Sequence, residues 1–390
     1  MIPAVLPTYA RADLTFERGE GAYLFTASGQ KYLDFTSGVA VTALGHCHPY
    51  LIKRLTEQAQ KLWHCSNLFQ VAGQQKVAGR LIAHSFADSV FFCNSGAEAV
   101  ECAIKVARKY QAETGHPERY RLIACTGSFH GRTLSTLAAA GNEKYLKGFG
   151  PPAPGFDHVA FGNLNEMRAA IGKETAGILV EPVQGEGGLA TAPEGYLKGL
   201  RAICDEFGLV LVYDEVQSGM GRTGKLFAHE WEGVPPDVLA TAKALGGGFP
   251  VGACLVTERA AIGMTPGTHG STFGGNPLAM AVADAVLDVM LAPGFFERVD
   301  RMAGLLRRRL ETLVGRYPEI FAEVRGKGLL AGVKCVVPNT DMVERLRNNG
   351  LLVAGAGENV VRLLPPLVVT EGHIEEAMSI IDGVARRWTQ

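Results

Sequence analysis

Leu209-Val210-Leu211-Val212-Tyr213-Asp214-Glu215-Val216-Gln217 joins a run of large apolar residues to an acid pair. A run this continuous in Val and Leu reads as a strand covered on both faces, the pattern of a parallel sheet. Carboxyl ends of such strands are where α/β proteins place ligands, so Asp214 is a candidate for holding a positive charge. It equally suits a turn cap or a Mg²⁺ ligand, although no phosphate loop of the G-x-x-x-x-G-K-[ST] type precedes it.

Further along lies Thr241-Ala242-Lys243-Ala244-Leu245-Gly246-Gly247-Gly248. A Lys beside a buried strand is unusual. Desolvation lowers an amine's pKa and makes it able to form a Schiff base, while a snorkelling Lys at a strand end fits the same letters. Upstream, Asn94-Ser95-Gly96-Ala97-Glu98-Ala99 follows the apolar Ser89–Cys93 and opens a helical pattern. Ser95 and Glu98 predict a capping box, and Gly96 lets a backbone approach closely. Free amides at such a start suit an anion, and a plain capped helix is the alternative. Phe129-His130-Gly131-Arg132 adds a flat ring and a guanidinium. Glu181-Pro182-Val183-Gln184-Gly185-Glu186-Gly187-Gly188 ends another strand in polar residues. Taken singly, His130 reads as a structural histidine and Arg132 as a surface charge. Together the segments supply a phosphate clamp, a stacking ring, a pyridinium partner and an imine lysine, the set that pyridoxal phosphate requires.

The wider chain supports an α/β fold. Strands are predicted at Ser89–Cys93, Tyr120–Cys125, Ala176–Val183, Leu209–Val216, Val238–Thr241 and Ala253–Thr257. Helices are predicted at Ala97–Tyr110, Asn163–Ile171 and Tyr196–Phe207 between them. This alternation implies βαβ units and a mostly parallel central sheet. The last third predicts long helices at Asn276–Leu291 and Phe295–Arg316, short strands near Gly328–Val337 and Val360–Leu364, and a final helix from Glu371. The expected organisation is a large domain over 55–280 and a small α+β domain from both termini, 1–54 and 281–390.

Composition narrows the function classes. The 390 residues are 47% hydrophobic and 20% charged, which excludes a disordered chain. The 38 basic and 39 acidic residues leave a formal charge of −1, with no basic excess for nucleic acid or an anionic membrane. The Arg-rich helix Phe295–Arg316 therefore reads as a solvated face. Eight cysteines with no C-x-x-C pair read as small hydrophobes in a reduced cytosol. Charges at Arg11, Asp13, Glu17, Arg18 and Glu20 leave no apolar leader, and no run nears the ~18 residues of a membrane span. His46-Cys47-His48 and His64-Cys65 fit no common zinc spacing, so no metal is expected.

The motifs NSGAEA (94–99), FHGRT (129–133), EPVQGEGG (181–188), DEVQSGMGRTG (214–224), AKALGGG (242–248), STFGGNP (271–277) and RLLPPL (362–367) stand in one order. Through them the chain resembles the class III, ornithine-type aminotransferases, pyridoxal-phosphate transferases of fold type I, from Phe35 to Leu367. The resemblance implies that Lys243 is the Schiff-base and proton-shuttling lysine and that Asp214 pairs with the pyridinium nitrogen. Phe129 and Val216 would sandwich the ring, Gln217 would lie by its phenolic oxygen, and Ser95, Gly96 and Ala97 would bind phosphate. Thr272 would reach the phosphate of a neighbouring subunit, which implies a homodimer with sites at the interface. Arg132 would clamp the α-carboxylate with Ser271 beside it, since bidentate guanidinium geometry suits a carboxylate. Glu186 would gate Arg362, neutralising it for an amino donor and freeing it for the second carboxylate of 2-oxoglutarate. Relatives acting on free ornithine carry a Tyr near Gly38-Val39-Ala40-Val41; a small, apolar segment around Val39 suits an acylated nitrogen. The expected donor is thus N-acetyl-L-ornithine. Thr42, where many acetyl-specific members carry Asn, leaves succinylornithine, ornithine, a carrier-bound aminoadipate semialdehyde and 4-aminobutyrate open. An aminomutase would have no use for the Glu186–Arg362 gate.

Overall fold

Val210 to Tyr213 alternate in the side they bury. Val210 and Val212 pack with Cys102, Ala103 and Val106 of one helix, and Leu211 and Tyr213 with Leu197, Leu200 and Ile203 of another. Both faces of the strand are dry, which is why its sequence is apolar without interruption. The computed structural model describes residues 2–388.

The central sheet has seven strands, in the order Ser89–Cys93, Gly252–Val256, Val238–Thr241, Val210–Asp214, Thr175–Val180, Arg121–Cys125 and Phe156–Val159. Pairings from Val238–Thr241 across to Phe156–Val159 are parallel. Gly252–Val256 runs antiparallel to both neighbours. Helix Gly96–Glu113 covers one face and Tyr196–Phe207 the other. The fold is the mixed α/β, mostly parallel arrangement expected, with strand ends shifted for local reasons. Thr175–Val180 stops short of Val183 because Pro182 has no N–H to give, and Val183–Gln184 pairs instead with Ala190–Thr191. Val210–Asp214 ends where Val216 N turns back to donate to Asp214 Oδ1 at 3.0 Å.

Both termini contribute to smaller sheets. Arg18–Glu20, Tyr23–Phe25 and Lys31–Asp34 form an antiparallel ribbon, and Leu351–Leu352 adds to Lys31–Asp34 in parallel. Phe321–Lys327, Leu330–Cys335, Val360–Leu363 and Ala354–Ala356 make a second antiparallel sheet. Arginines of helix Phe295–Arg316 pair with Glu311, Glu375 and Asp382. The expected boundaries at 54/55 and 280/281 fall inside the unbroken helices Pro49–Ala59 and Pro277–Met290. These two helices pack on each other, joined by Arg54 Nη2 donating to the buried Asp284. Among the described residues no single helix is long and apolar enough to cross a membrane.

Candidate active site

Asp214, Lys243, Glu181 and the helix start at Gly96 open onto one cavity of about 410 Å³ at the carboxyl ends of the central strands. This is the position at which open α/β sheets bind ligands. Asp214 is buried at its base. Its Oδ1 caps the turn, and its Oδ2 accepts a hydrogen bond from His130 Nδ1 at 2.8 Å. Both roles fit an ionised carboxylate aimed at a cation.

Lys243 follows strand Val238–Thr241 and sits half-buried at φ +44°, a left-handed conformation uncommon for a non-glycine residue. Burial lowers its pKa to about 8; Glu186, Asp214 and Glu181 pull the other way, and Arg362 adds to the fall. No hydrogen bond or ion pair holds its ammonium among the described residues, so the amine is free to react.

The helix Gly96–Glu113 starts as a modified box. Ser95 Oγ accepts from Glu98 N at 3.3 Å, but the Glu98 carboxylate reaches one residue further than expected, to Asn94 N at 2.7 Å. The amides of Gly96 and Ala97 are left with no acceptor among the described residues and lie in the cavity wall. A Cβ at Gly96 would sit 2.6 Å from Val216 Cγ1, so only glycine lets Val216 close over this start. Phe129 and Val216 both line the cavity. Arg132 is exposed at its edge, its guanidinium 3.9 Å from the Tyr145 ring centre and 5.3 Å from that of Phe129.

Gln217 forms the inner wall and touches a buried ion pair behind it. Arg362 donates to Glu186 through Nη1 at 2.5 Å and Nη2 at 3.1 Å, and to Gln217 Oε1 at 3.1 Å. Gln217 Nε2 donates to Glu186 Oε1 at 3.4 Å. Burial pushes the Glu186 carboxyl up, but the Arg362 charge and hydrogen bonds outweigh this and hold it below its ordinary value.

Residues 7–384 match the aminotransferase class-III family. The chain is a class-III aminotransferase. Acetylornithine aminotransferase 1 of Bradyrhizobium diazoefficiens is 60% identical over 380 residues, covering 97% of this chain and 94% of that relative. The crystal structure of ornithine aminotransferase from Toxoplasma gondii superposes with a TM-score of 0.94 at 33% identity, over 99% of this chain and 93% of that one. N-acetylornithine aminotransferase from Stenotrophomonas maltophilia gives a TM-score of 0.85 at 36% identity, over 98% of each chain.

Class-III aminotransferases use pyridoxal 5′-phosphate, and the donor set of this aminotransferase fits it. The unpaired Gly96 and Ala97 amides suit a phosphate, the half-buried Lys243 amine an aldehyde, and the Asp214–His130 pair a protonated ring nitrogen. Other expected residues lie apart from the cavity of this one chain. Val41 lines it rather than Val39, which packs on the cluster around Leu189 and Val360. Ser271 stands beside the helix start, accepting from Asn94 Nδ2 at 3.2 Å, and Thr272 is exposed.

Two participants escaped the sequence reading. His130, read as structural, supports Asp214 directly. Glu181 lines the cavity and accepts from Phe129 N at 3.0 Å. Burial first and the Asp214 charge second push its carboxyl well above the ordinary range. Its one advance sign was an acid directly after a fully buried strand. His46 hydrogen-bonds Asp34 Oδ2 at 2.8 Å through Nε2.

Proposed function

We propose that this aminotransferase moves the δ-amino group of N-acetyl-L-ornithine to 2-oxoglutarate, giving N-acetyl-L-glutamate 5-semialdehyde and L-glutamate in arginine biosynthesis. The observation that carries the reading is the bidentate Glu186–Arg362 pair behind Gln217. With the pair closed, Arg362 is neutralised and the pocket has no spare cation for an acylated donor to face. With Glu186 turned away, Arg362 presents a planar fork to the second carboxylate of 2-oxoglutarate. The apolar Val41 in the cavity wall suits an uncharged acyl nitrogen.

Bound pyridoxal phosphate supplies an aldehyde that takes up amino groups and a ring that withdraws electrons. The protein's residues do the rest. Lys243 Nζ holds the cofactor and, when displaced by substrate, moves the proton at the carbon bearing the transferred nitrogen. Asp214, steadied by His130, keeps the ring nitrogen protonated. Phe129 and Val216 would flank the ring, and Gln217 would meet its phenolic oxygen. Ser95, Gly96 and Ala97 anchor the phosphate. Arg132 takes the α-carboxylate, with Ser271 close by.

The working form is inferred to be a homodimer in the cytoplasm. Thr272, exposed in a single chain, then reaches the partner's phosphate. All eight cysteines are free, which suits a reducing compartment. The test is a donor panel of N-acetylornithine, N-succinylornithine, ornithine and 4-aminobutyrate with 2-oxoglutarate, read as glutamate formed. N-acetylornithine should give the highest kcat/KM; preference for free ornithine or 4-aminobutyrate would refute the reading.

A further inference from the structure

Arg222 is fully buried, yet no carboxylate among the described residues meets it. Its Nη1 donates to the carbonyl oxygens of Leu329 at 3.2 Å and Pro365 at 2.5 Å. Nε and Nη2 are buried without a partner among the described residues. An uncompensated buried charge opposes folding, and burial pushes this guanidinium's pKa down. A Met of similar length would fill the same core with a smaller desolvation penalty. Packing therefore leaves the charge unexplained, and what it binds has to account for it.

The two carbonyls belong to the segments that carry Arg362. Pro365 lies three residues beyond it. Leu329 sits in the turn between Phe321–Lys327 and Leu330–Cys335, and the latter strand pairs with Val360–Leu363, Gly332 opposite Arg362. Arg222 itself lies five residues after Gln217. Backbone contacts close the same joint. Leu329 N donates to Arg222 O at 3.0 Å. Gly328, at φ +64°, lies so close that a Cβ there would stand 2.5 Å from the Thr223 carbonyl carbon. Arg222 thus staples the loop bearing Gln217 to the sheet bearing Arg362. Across that joint those two side chains meet, 3.1 Å from Nη1 to Oε1.

We propose that Arg222 is a positioning residue that fixes the distance between Gln217 and Arg362 and so sets how tightly the site holds the acceptor's second carboxylate. The proposal rests on the reading that Arg362 receives that carboxylate.

The test compares wild-type holoenzyme with Arg222→Met, which keeps the bulk and removes the charge, and Arg222→Lys, which keeps a cation near Pro365 O. Glutarate, a dicarboxylate that cannot take up an amino group, is titrated by calorimetry. The donor and acceptor half-reactions are followed separately by the cofactor's visible absorbance. Arg222→Met should weaken glutarate binding and raise the KM for 2-oxoglutarate by about tenfold, within the range coupled positions produce. Its donor half-reaction should stay within about threefold, and Arg222→Lys should recover part of the loss. Equal losses in both half-reactions, an unchanged glutarate affinity, no glutarate binding by the wild type, or failure of both variants to fold as holoenzyme would each overturn it. A wild type that binds glutarate but does not aminate 2-oxoglutarate refutes the proposed function alone.

Discussion

Lys243 shows how position sets reactivity. Its folded pKa, about 8, lies below the free amine's 10.5 because burial disfavours the charge. The amine is therefore a competent nucleophile as pH rises through about 8, and the rate at which apoenzyme captures pyridoxal phosphate should rise over the same range in stopped-flow absorbance. Between about 8 and 10.5 the unfolded chain binds the proton and the folded chain does not, so this group's destabilising contribution shrinks as pH climbs. Apoenzyme urea melts should therefore show stability rising with pH across that window. Arg362 behaves differently, because its loss leaves Glu186 partly buried and unpaired. Arg362→Ala should cut kcat/KM for 2-oxoglutarate by roughly 10²-fold while sparing the donor half-reaction, an effect typical of a desolvated ion pair. Lys243 and Asp214 were readable because a charge beside a dry strand stands out in the letters. His130 was not, since its meaning lies in a partner 84 residues away that only the folded sheet supplies.

Among the elements, helix Gly96–Glu113 serves the core along its length and, in the proposed reading, the cofactor's phosphate at its start. Ser95→Ala removes the bond to Glu98 N and should destabilise the protein by about 1 kcal/mol in thermal melts. Gly96→Ala drives a methyl into Val216, and the amides beneath it should lose their fit. Its dissociation constant for pyridoxal phosphate, measured by fluorescence quenching, should rise well beyond the change seen in Ser95→Ala. The buried strands were legible for the reason that makes them strands, a Val-, Leu- and Ile-rich run covered on both faces. Arg18–Glu20 and Tyr23–Phe25 were not, because three partly exposed residues carry no periodicity. Phe156–Val159 escaped as well, being an edge strand with polar Asp157 and His158 on it.

At the level of the whole molecule, several large apolar side chains from the segments around residues 63–69 and 273 are left exposed. Leu68 is 88% exposed, and Trp63, Phe69 and Phe273 are more than half exposed, with the His64 and Phe273 rings 5.4 Å apart. Exposed apolar side chains of this kind suit the homodimer proposed above. Sedimentation should give a dimer, and Thr272→Ala should weaken cofactor binding without changing the sedimentation coefficient. A fully active monomer would contradict both. The sequence conveyed the architecture because the central sheet is built from local patterns, while the joint around Arg222 had no local sign, since a lone Arg in a Gly-rich loop reads as a surface charge.

The transfer itself can be watched by supplying N-acetylornithine labelled at the δ-nitrogen together with 2-oxoglutarate, and following the label by NMR in wild-type and Lys243→Ala protein. Wild-type enzyme should deliver the label to glutamate over many turnovers, and the variant should leave it on the donor. Label reaching glutamate at the wild-type rate without Lys243, or never reaching it with Lys243 present, would show the mechanism to be wrong.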